Sequence, residues 1–355
     1  MRVIVCGGAG FIGSAFVRDM LAEHEDWEIL VLDKLTYAGN MENLEPVASD
    51  SRYAFSKVDI ADPHAVREAL SAFGTADALV NFAAETHVDR SIADARAFLT
   101  TDVFGVHVLL EAVRDHGIGR MVQVSTDEVY GPIRTGSAAE DAPLNPTSPY
   151  SASKAGADLQ ALAHRVTYGT DVVITRGSNT YGPYQYPEKL VPLFATNLLE
   201  GQRLPLYGEG LNVRDWLHVD DHVRGVEAAL LHGSAGQVYN LGGGHELTNK
   251  QITAAILAAL GRTWDECVER VADRPGHDLR YSIDSTKAAR ELGWVPAAVF
   301  DDEIKNTVEW YQEHIEWWAR LKHSDDFEEW VDRWYASRQG IDDESPTHIA
   351  QESRG

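Results

Sequence analysis

Residues 2–13, Arg2-Val3-Ile4-Val5-Cys6-Gly7-Gly8-Ala9-Gly10-Phe11-Ile12-Gly13, decide the fold. An apolar run of strand length passes into Gly7, Gly10 and Gly13, spaced three apart, and then into the amphipathic stretch Ser14 to Ala22. A strand that turns into a helix through glycines leaves the helix N-terminus, with its unpaired N–H groups and positive dipole end, open to phosphate oxygens. The missing Cβ atoms let the backbone close on them. Asp33 ends the next apolar run, 20 residues after Gly13, where a carboxylate accepts both hydroxyls of a ribose and repels a 2′-phosphate. This reads as a dinucleotide site preferring NAD to NADP.

Outward from that turn, apolar runs alternate with amphipathic stretches, as in βαβ units winding a parallel sheet. The expected strands are Arg2 to Cys6, Glu28 to Asp33, Tyr53 to Lys57, Ala78 to Phe82, Arg120 to Ser125 and Asp171 to Arg176. Ser14 to Ala22, Ala65 to Ala72, Phe98 to Asp115 and Tyr150 to Tyr168 carry apolar residues at helical spacing. The fold class expected is α/β, a doubly wound parallel (Rossmann) sheet with a second, smaller mixed α/β lobe. A chain of 355 residues is long enough for both. The division read is a nucleotide-binding domain over 1–178, with 213–246 returning to it, a substrate lobe over 179–212 and 247–321, and an acidic extension over 322–355 ending in a mobile tail.

A balance of 31 Lys+Arg against 55 Asp+Glu, net −24, repels phosphate backbones and anionic lipid, so nucleic-acid and membrane partners are not expected. With only 8 lysines, the acidic surface suits a salt-rich cytoplasm, where screening relieves self-repulsion. Met1 leads straight into a strand pattern without a signal-peptide apolar region, so a cytoplasmic location is expected. Cys6 and Cys267 have no motif partner for metal or redox work and read as plain thiols, and no metal is expected.

Asp59-Ile60 follows the third strand, where it meets an adenine edge, and Phe82-Ala83-Ala84 after the fourth is small enough to pass beside a cofactor. Tyr150-Ser151-Ala152-Ser153-Lys154 sets a phenol and an ammonium one helical turn apart on one face. A nearby cation favours the phenolate, which an isolated tyrosine resists at neutral pH.

Glycine turn, acidic strand end and Tyr-Lys pair together resemble the extended short-chain dehydrogenase/reductase family over about residues 1 to 320. The resemblance implies NAD, Tyr150 as the base for hydride transfer, Lys154 tuning it, and Thr126 holding the reacting hydroxyl. In Ser125-Thr126-Asp127-Glu128-Val129-Tyr130-Gly131, two further carboxyl groups adjoin that threonine, implying a second chemical step beyond hydride transfer. Within the family the similarity is to the branch that dehydrates nucleotide sugars across carbons 4 to 6. It is carried by Asp33 to Asn40, Ala83 to Ser91, Ser125 to Gly131, Asn179 to Leu190, Arg214 to Leu217 and Arg274 to Asp278.

That similarity implies dTDP-glucose as substrate, Asp127 as acid for the departing carbon-6 hydroxyl and Glu128 as base at carbon 5. It adds Lys34, Leu35, Thr36, Thr101 and Thr180 to the cofactor site of Gly7, Gly10, Phe11, Ile12, Gly13, Asp33, Asp59, Ile60, Ala83, Ala84, Tyr150 and Lys154. It puts Thr86, Asn179, Lys189, Leu190, Pro205, Leu206, Tyr207, Arg214, Asn249, Asp273, Arg274 and His277 around the nucleotide sugar. Arg214 and Lys189 also make independent sense, since an acidic chain needs local cations to hold a diphosphate. The sequence departs from the family at Asp102 and Thr180, where asparagines are common, and at Gly177, where cysteine is usual. The helix candidates Phe98 to Asp115 and Tyr150 to Tyr168 resemble those of the family's dimer interface, implying a homodimer. The nucleobase preference stays open, as do three rivals: a 4-epimerase, a decarboxylase, or a catalytically silent NAD-binding module.

Overall fold

The computed structural model describes residues 1–336; the end of the expected mobile tail, 337–355, lies outside the described residues. The first strands are β1 (Arg2–Cys6), β2 (Glu28–Asp33), β3 (Tyr53–Lys57), β4 (Ala78–Asn81), β5 (Arg120–Thr126) and β6 (Val172–Gly177), close to the runs read from sequence. Then come β7 (Asn179–Tyr181), β8 (Leu204–Tyr207), β9 (Val213–His218), β10 (Val238–Leu241), β11 (Glu246–Thr248) and β12 (Val268–Val271).

A seven-stranded sheet runs β10-β6-β5-β4-β1-β2-β3, parallel throughout. Helices cover both faces, each over its own apolar cluster, which is why the inner strands β1, β2 and β4 are near-continuous buried apolar runs, while the edge strand β3 is only partly buried. The strand order reverses between β1 and β4, and ligands of such sheets bind in the crevice beyond the carboxyl ends at that point. Within 213–246, β10 joins this sheet beside β6, whereas β9 pairs with β11 and β7 in a separate three-stranded sheet. The smaller lobe adds the pair β8 and β12 and an aromatic core that includes Tyr181, Phe194, Trp216 and Trp318.

Two local features aim side chains at the crevice. The helix Pro149–Tyr168 starts with proline in its first turn and a reciprocal Ser148–Ser151 capping box, and it ends on Gly169 in the left-handed region. Its first two turns, which hold Tyr150 and Lys154, are thereby fixed to the backbone. The stretch expected as one helix from Phe98 instead passes through a π-helical segment, Leu99–Gly105, before the α-helix Val106–His116. Asp102 explains the wide turn: its carboxylate faces inward, accepting from the Glu85 amide at 2.8 Å and from Ser153 Oγ at 2.6 Å.

Within the stretch expected as an acidic extension lies an ordered helix, Asp325–Ala336, with Phe327, Trp330 and Trp334 buried. Reading the segment by its charge overlooked an apolar face at i, i+3 and i+7. Among the described residues no helix is long and apolar enough to cross a membrane.

Candidate active site

A cavity of about 420 Å³ opens at the carboxyl end of the sheet and runs on between it and the smaller lobe. Its wall gathers segments far apart in the chain: the glycine turn with Asp33, Lys34 and Thr36, then Asp59 and Ile60, Ala83 and Ala84, Thr101, Thr126 to Glu128, Tyr150, Lys154 and Thr180. The opposite part holds Thr86, Asn179, Lys189, Leu190, Pro205 to Tyr207, Arg214, Asn249, Arg274 and His277. Leu35 and Asp273, assigned to the site from sequence, do not line it. Leu35 adopts φ 55° and donates its N–H to Asp33 Oδ1 at 2.8 Å, so its contribution is to orient that carboxylate. Asp273 braces its loop, accepting from the Arg274 amide at 2.7 Å and facing His277 Nδ1 at 2.6 Å.

At the glycine turn, Gly7 takes φ +74°, and a Cβ there would lie 2.4 Å from the Ala83 nitrogen. Only glycine lets the ends of β1 and β4 approach so closely. No side chain caps the helix Phe11–Glu23 that follows, and Asp33 Oδ2 accepts from the Ala9 amide at 2.9 Å, tying the strand-end carboxylate to the turn. Asp59 is already engaged, with Lys34 Nζ at 2.6 Å and the Ala61 amide at 2.9 Å.

In the middle of the cavity, Thr126 ends β5 and accepts from the Glu128 amide at 3.2 Å, which starts the short 3₁₀ turn Asp127–Tyr130. The Tyr150 phenol stands well above its ordinary value, first because of burial, then through the negative charges of Glu128 and Asp102, with the Thr126 hydrogen bond opposing. Burial and these two carboxyl groups therefore act against the phenolate that a neighbouring cation favours. Lys154 is itself desolvated, donates to the Val124 carbonyl at 2.8 Å and faces Asp102, which burial pushes up to about 6.

The two adjacent carboxyl groups have unlike surroundings. Burial, Glu128 and Asp215 all push Asp127 well above the carboxylate range, against Arg214 and a Thr126 hydrogen bond, and its Oδ2 is buried with no hydrogen-bond partner. Burial also raises Glu128, but Arg274, Arg214 and Lys189 oppose it. Both carboxyl groups are raised, Asp127 well above its ordinary value and Glu128 against three opposing cations, so their surroundings favour the proton more strongly at Asp127, as needed when neighbouring acids divide acid and base work. The three cations are held from behind. Lys189 Nζ donates to the Thr86 carbonyl at 2.5 Å, Arg214 donates to the Asp278 carbonyl at 3.0 Å, and Arg274 lies 3.1 Å from Asp89 Oδ1.

Sequence reasoning missed Asp89, Glu188 and His222. Glu188, in the cavity wall, is joined by Tyr37 (3.0 Å) and Arg90 (3.1 Å), and both it and Asp89 stand within the motif blocks Asn179 to Leu190 and Ala83 to Ser91 without having been assigned a role. His222 explains two departures from the family pattern at once. Its Nδ1 is 2.8 Å from Thr180 Oγ1, and its Cε1 would be 2.5 Å from a Cβ at position 177, which Gly177 avoids.

Comparison with known proteins gives a consistent picture. The sequence model of the GDP-mannose 4,6 dehydratase family matches residues 4–307. The dTDP-glucose 4,6-dehydratase of Streptomyces niveus is 52% identical over 330 residues, 92% of this chain and 97% of that protein. That of Escherichia coli K12 is 42% identical over 364 residues, 96% of this chain and all of its own length (100%). The crystal structure of the Streptomyces venezuelae dTDP-glucose 4,6-dehydratase, solved with NAD bound, superposes with a TM-score of 0.88 at 55% identity, covering 91% of this chain and 100% of that one.

Proposed function

The chain belongs to the dTDP-glucose 4,6-dehydratases of the GDP-mannose 4,6 dehydratase family, and from that membership we propose how its residues divide the reaction. The reaction is oxidation of dTDP-glucose at carbon 4, loss of water across carbons 5 and 6, and hydride return to carbon 6, leaving the 4-keto-6-deoxy sugar. The unlike surroundings of Asp127 and Glu128, beside Tyr150, are the observation that carries the assignment.

The residues present fit NAD: a glycine turn pressed against Ala83, an uncapped helix start, and a carboxylate at the end of β2 oriented by two amides. Bound there, NAD supplies the hydride acceptor and donor and, through its cationic ring, the charge that lowers the Tyr150 phenol.

Tyr150 takes the proton from the carbon-4 hydroxyl, with Thr126 orienting that hydroxyl. The resulting ketone acidifies carbon 5, and Glu128, whose ionised form Arg274, Arg214 and Lys189 favour against burial, removes its proton. Asp127, kept protonated by burial, gives its proton to the carbon-6 hydroxyl, which leaves as water. Glu128 then returns a proton to carbon 5, and the proton taken by Tyr150 balances the one Asp127 gave. The diphosphate is assigned to the same three cations.

The same reading makes 1–178, with β10 from 213–246, the nucleotide-binding body, and 179–212 and 247–321, with β9, the nucleotide-sugar lobe. A homodimer is part of it, supported by Leu99, Phe104, Leu159 and Val166, which are exposed on and beside the two long helices. Cytoplasmic residence is supported by Cys6 and Cys267, both free thiols suited to a reducing compartment.

Turnover of dTDP-glucose deuterated at carbon 4 tests the reading. Water loss with deuterium recovered at carbon 6 is expected; deuterium returned to carbon 4 with the carbon-6 hydroxyl intact would make the enzyme an epimerase.

A further inference from the structure

The helix Asp325–Ala336 lies beyond residues 4–307, where the family's sequence model matches, and its buried face is aromatic. That face meets the wall of the cavity. Phe327 packs on Tyr186 (6.0 Å between rings), and Trp330 packs edge-on to His87 (5.7 Å) and under the Arg90 guanidinium (4.8 Å). Trp334 stacks on Trp330 and donates its indole N–H to the Tyr207 hydroxyl at 2.8 Å. His87, Tyr186 and Tyr207 all line the cavity on their other side.

From Tyr207 the connection continues inward. Its hydroxyl donates to Asp89 Oδ2 at 2.9 Å, and Asp89 Oδ1 sits 3.1 Å from Arg274, the cation that most lowers Glu128. Without the indole, the Tyr207 oxygen loses one donor while it still donates to Asp89, so the line from Tyr207 through Asp89 to Arg274 is held less firmly. A single buried hydrogen bond, itself worth a few-fold in an equilibrium, is in this way placed to set where a pocket cation stands.

We propose that this C-terminal helix is a positioning element of the nucleotide-sugar site, with Trp334 acting through Tyr207 and Asp89 to fix Arg274. The proposal rests on the dehydratase reading given above and deepens it. Trp334 does not line the cavity, and its effect is on binding of the nucleotide diphosphate, passed through two side chains.

Trp334→Phe keeps an aromatic ring and removes the N–H, so it tests the bond without emptying the packing. Steady-state kinetics with dTDP-glucose, calorimetric titration with dTDP and thermal melting are compared with the unaltered enzyme and with Tyr207→Phe. Expected are a KM and a dTDP dissociation constant each raised about 3- to 10-fold, kcat within about two-fold, and a melting temperature nearly unmoved. Combining Trp334→Phe with Tyr207→Phe is expected to add little to Tyr207→Phe alone, because both act on one chain of contacts. Should Trp334→Phe prove unstable, Asp89→Asn, which keeps the shape and loses the charge, must give the same binding loss. Unchanged KM and dTDP affinity in a folded variant, or fully additive effects in the double variant, would overturn the proposal while wild-type dehydration stands. Absence of dehydration by the wild-type enzyme would instead overturn the reading beneath it.

Discussion

At the sheet end of the cavity Asp127, Tyr150 and Asp102 are buried acids, and Lys154 is the cation set among them. At the lobe end Lys189, Arg214 and Arg274 converge on Glu128. Asp127 and Glu128, adjacent in the 3₁₀ turn begun by Thr126, both line the cavity and both are raised by burial, but Arg214 opposes the rise at Asp127 while Arg274, Arg214 and Lys189 together oppose it at Glu128. The charge pattern of an acid-base pair is therefore set by the cations that oppose burial at each side chain, and residue type alone does not determine it.

The largest effect tests the sheet end. Tyr150→Phe removes the group that takes the first proton, so kcat is expected to fall about 10³-fold with no reduced cofactor accumulating in stopped-flow absorbance. Glu128→Gln spares that first step, so a loss of about 10²- to 10³-fold is expected together with a transient of reduced cofactor. Equal transients in the two variants would erase the division of work.

Next comes the lobe end. Arg274→Ala is expected to raise KM about 10- to 100-fold, as for loss of a charge-assisted contact to a diphosphate. It also has a pH signature with a defined sign. Removing a cation that lowers Glu128 raises that carboxyl, so the acid limb of the kcat profile should move to higher pH. A limb that stays put, with only KM raised, would confine Arg274 to binding and weaken the contrast between the two ends.

A smaller effect concerns stability at the sheet end. Burial raises Asp102 from 3.8 to about 6, so between those values the folded protein keeps a proton that the unfolded chain has lost. Stability falls as pH rises through that window, and the cost is full above it. Asp102→Asn should therefore stabilise by on the order of 2–3 kcal/mol at pH 8, shrinking toward pH 4. Chemical denaturation at both pH values checks this, and a gain independent of pH would show that the carboxylate is not the source.

The smallest effect is global. With a net charge of −24, raising KCl from about 0.1 to about 2 M should lift the melting temperature by a few degrees through screening of self-repulsion. A flat or falling melting temperature would remove the salt-adapted reading and leave the site untouched.

How much of this was legible in the sequence depends on how local each contact is. Gly7 to Gly13 and Asp33 could be read directly, because strand, turn and helix start are consecutive and the spacing itself carries the geometry. The strand ends were legible for the same reason. Lys189, Arg214 and Arg274 entered chiefly through resemblance, since nothing near them in the chain says that they meet. The surroundings of the Tyr150 phenol were legible only in part, because a four-residue spacing reports a shared helix face but neither burial nor the charges of Glu128 and Asp102. The bracing contacts Tyr37 to Glu188, Tyr207 to Asp89 and Trp334 to Tyr207 join residues more than a hundred positions apart, and no local pattern marks them. The charged look of 325–336 hid three aromatic residues on one face.

The opposed roles of Asp127 and Glu128 are tested most directly by proton exchange at carbon 5. Asp127→Asn and Glu128→Gln are each incubated with dTDP-glucose in deuterated water, and the recovered sugar nucleotide is examined by mass spectrometry and proton NMR. The Asp127 variant keeps its base and lacks the acid that expels the hydroxyl, so its recovered dTDP-glucose should gain deuterium at carbon 5. The Glu128 variant should return substrate unlabelled at that carbon. Deuterium at carbon 5 with Glu128→Gln, and none with Asp127→Asn, would contradict the assignment and exchange the two roles.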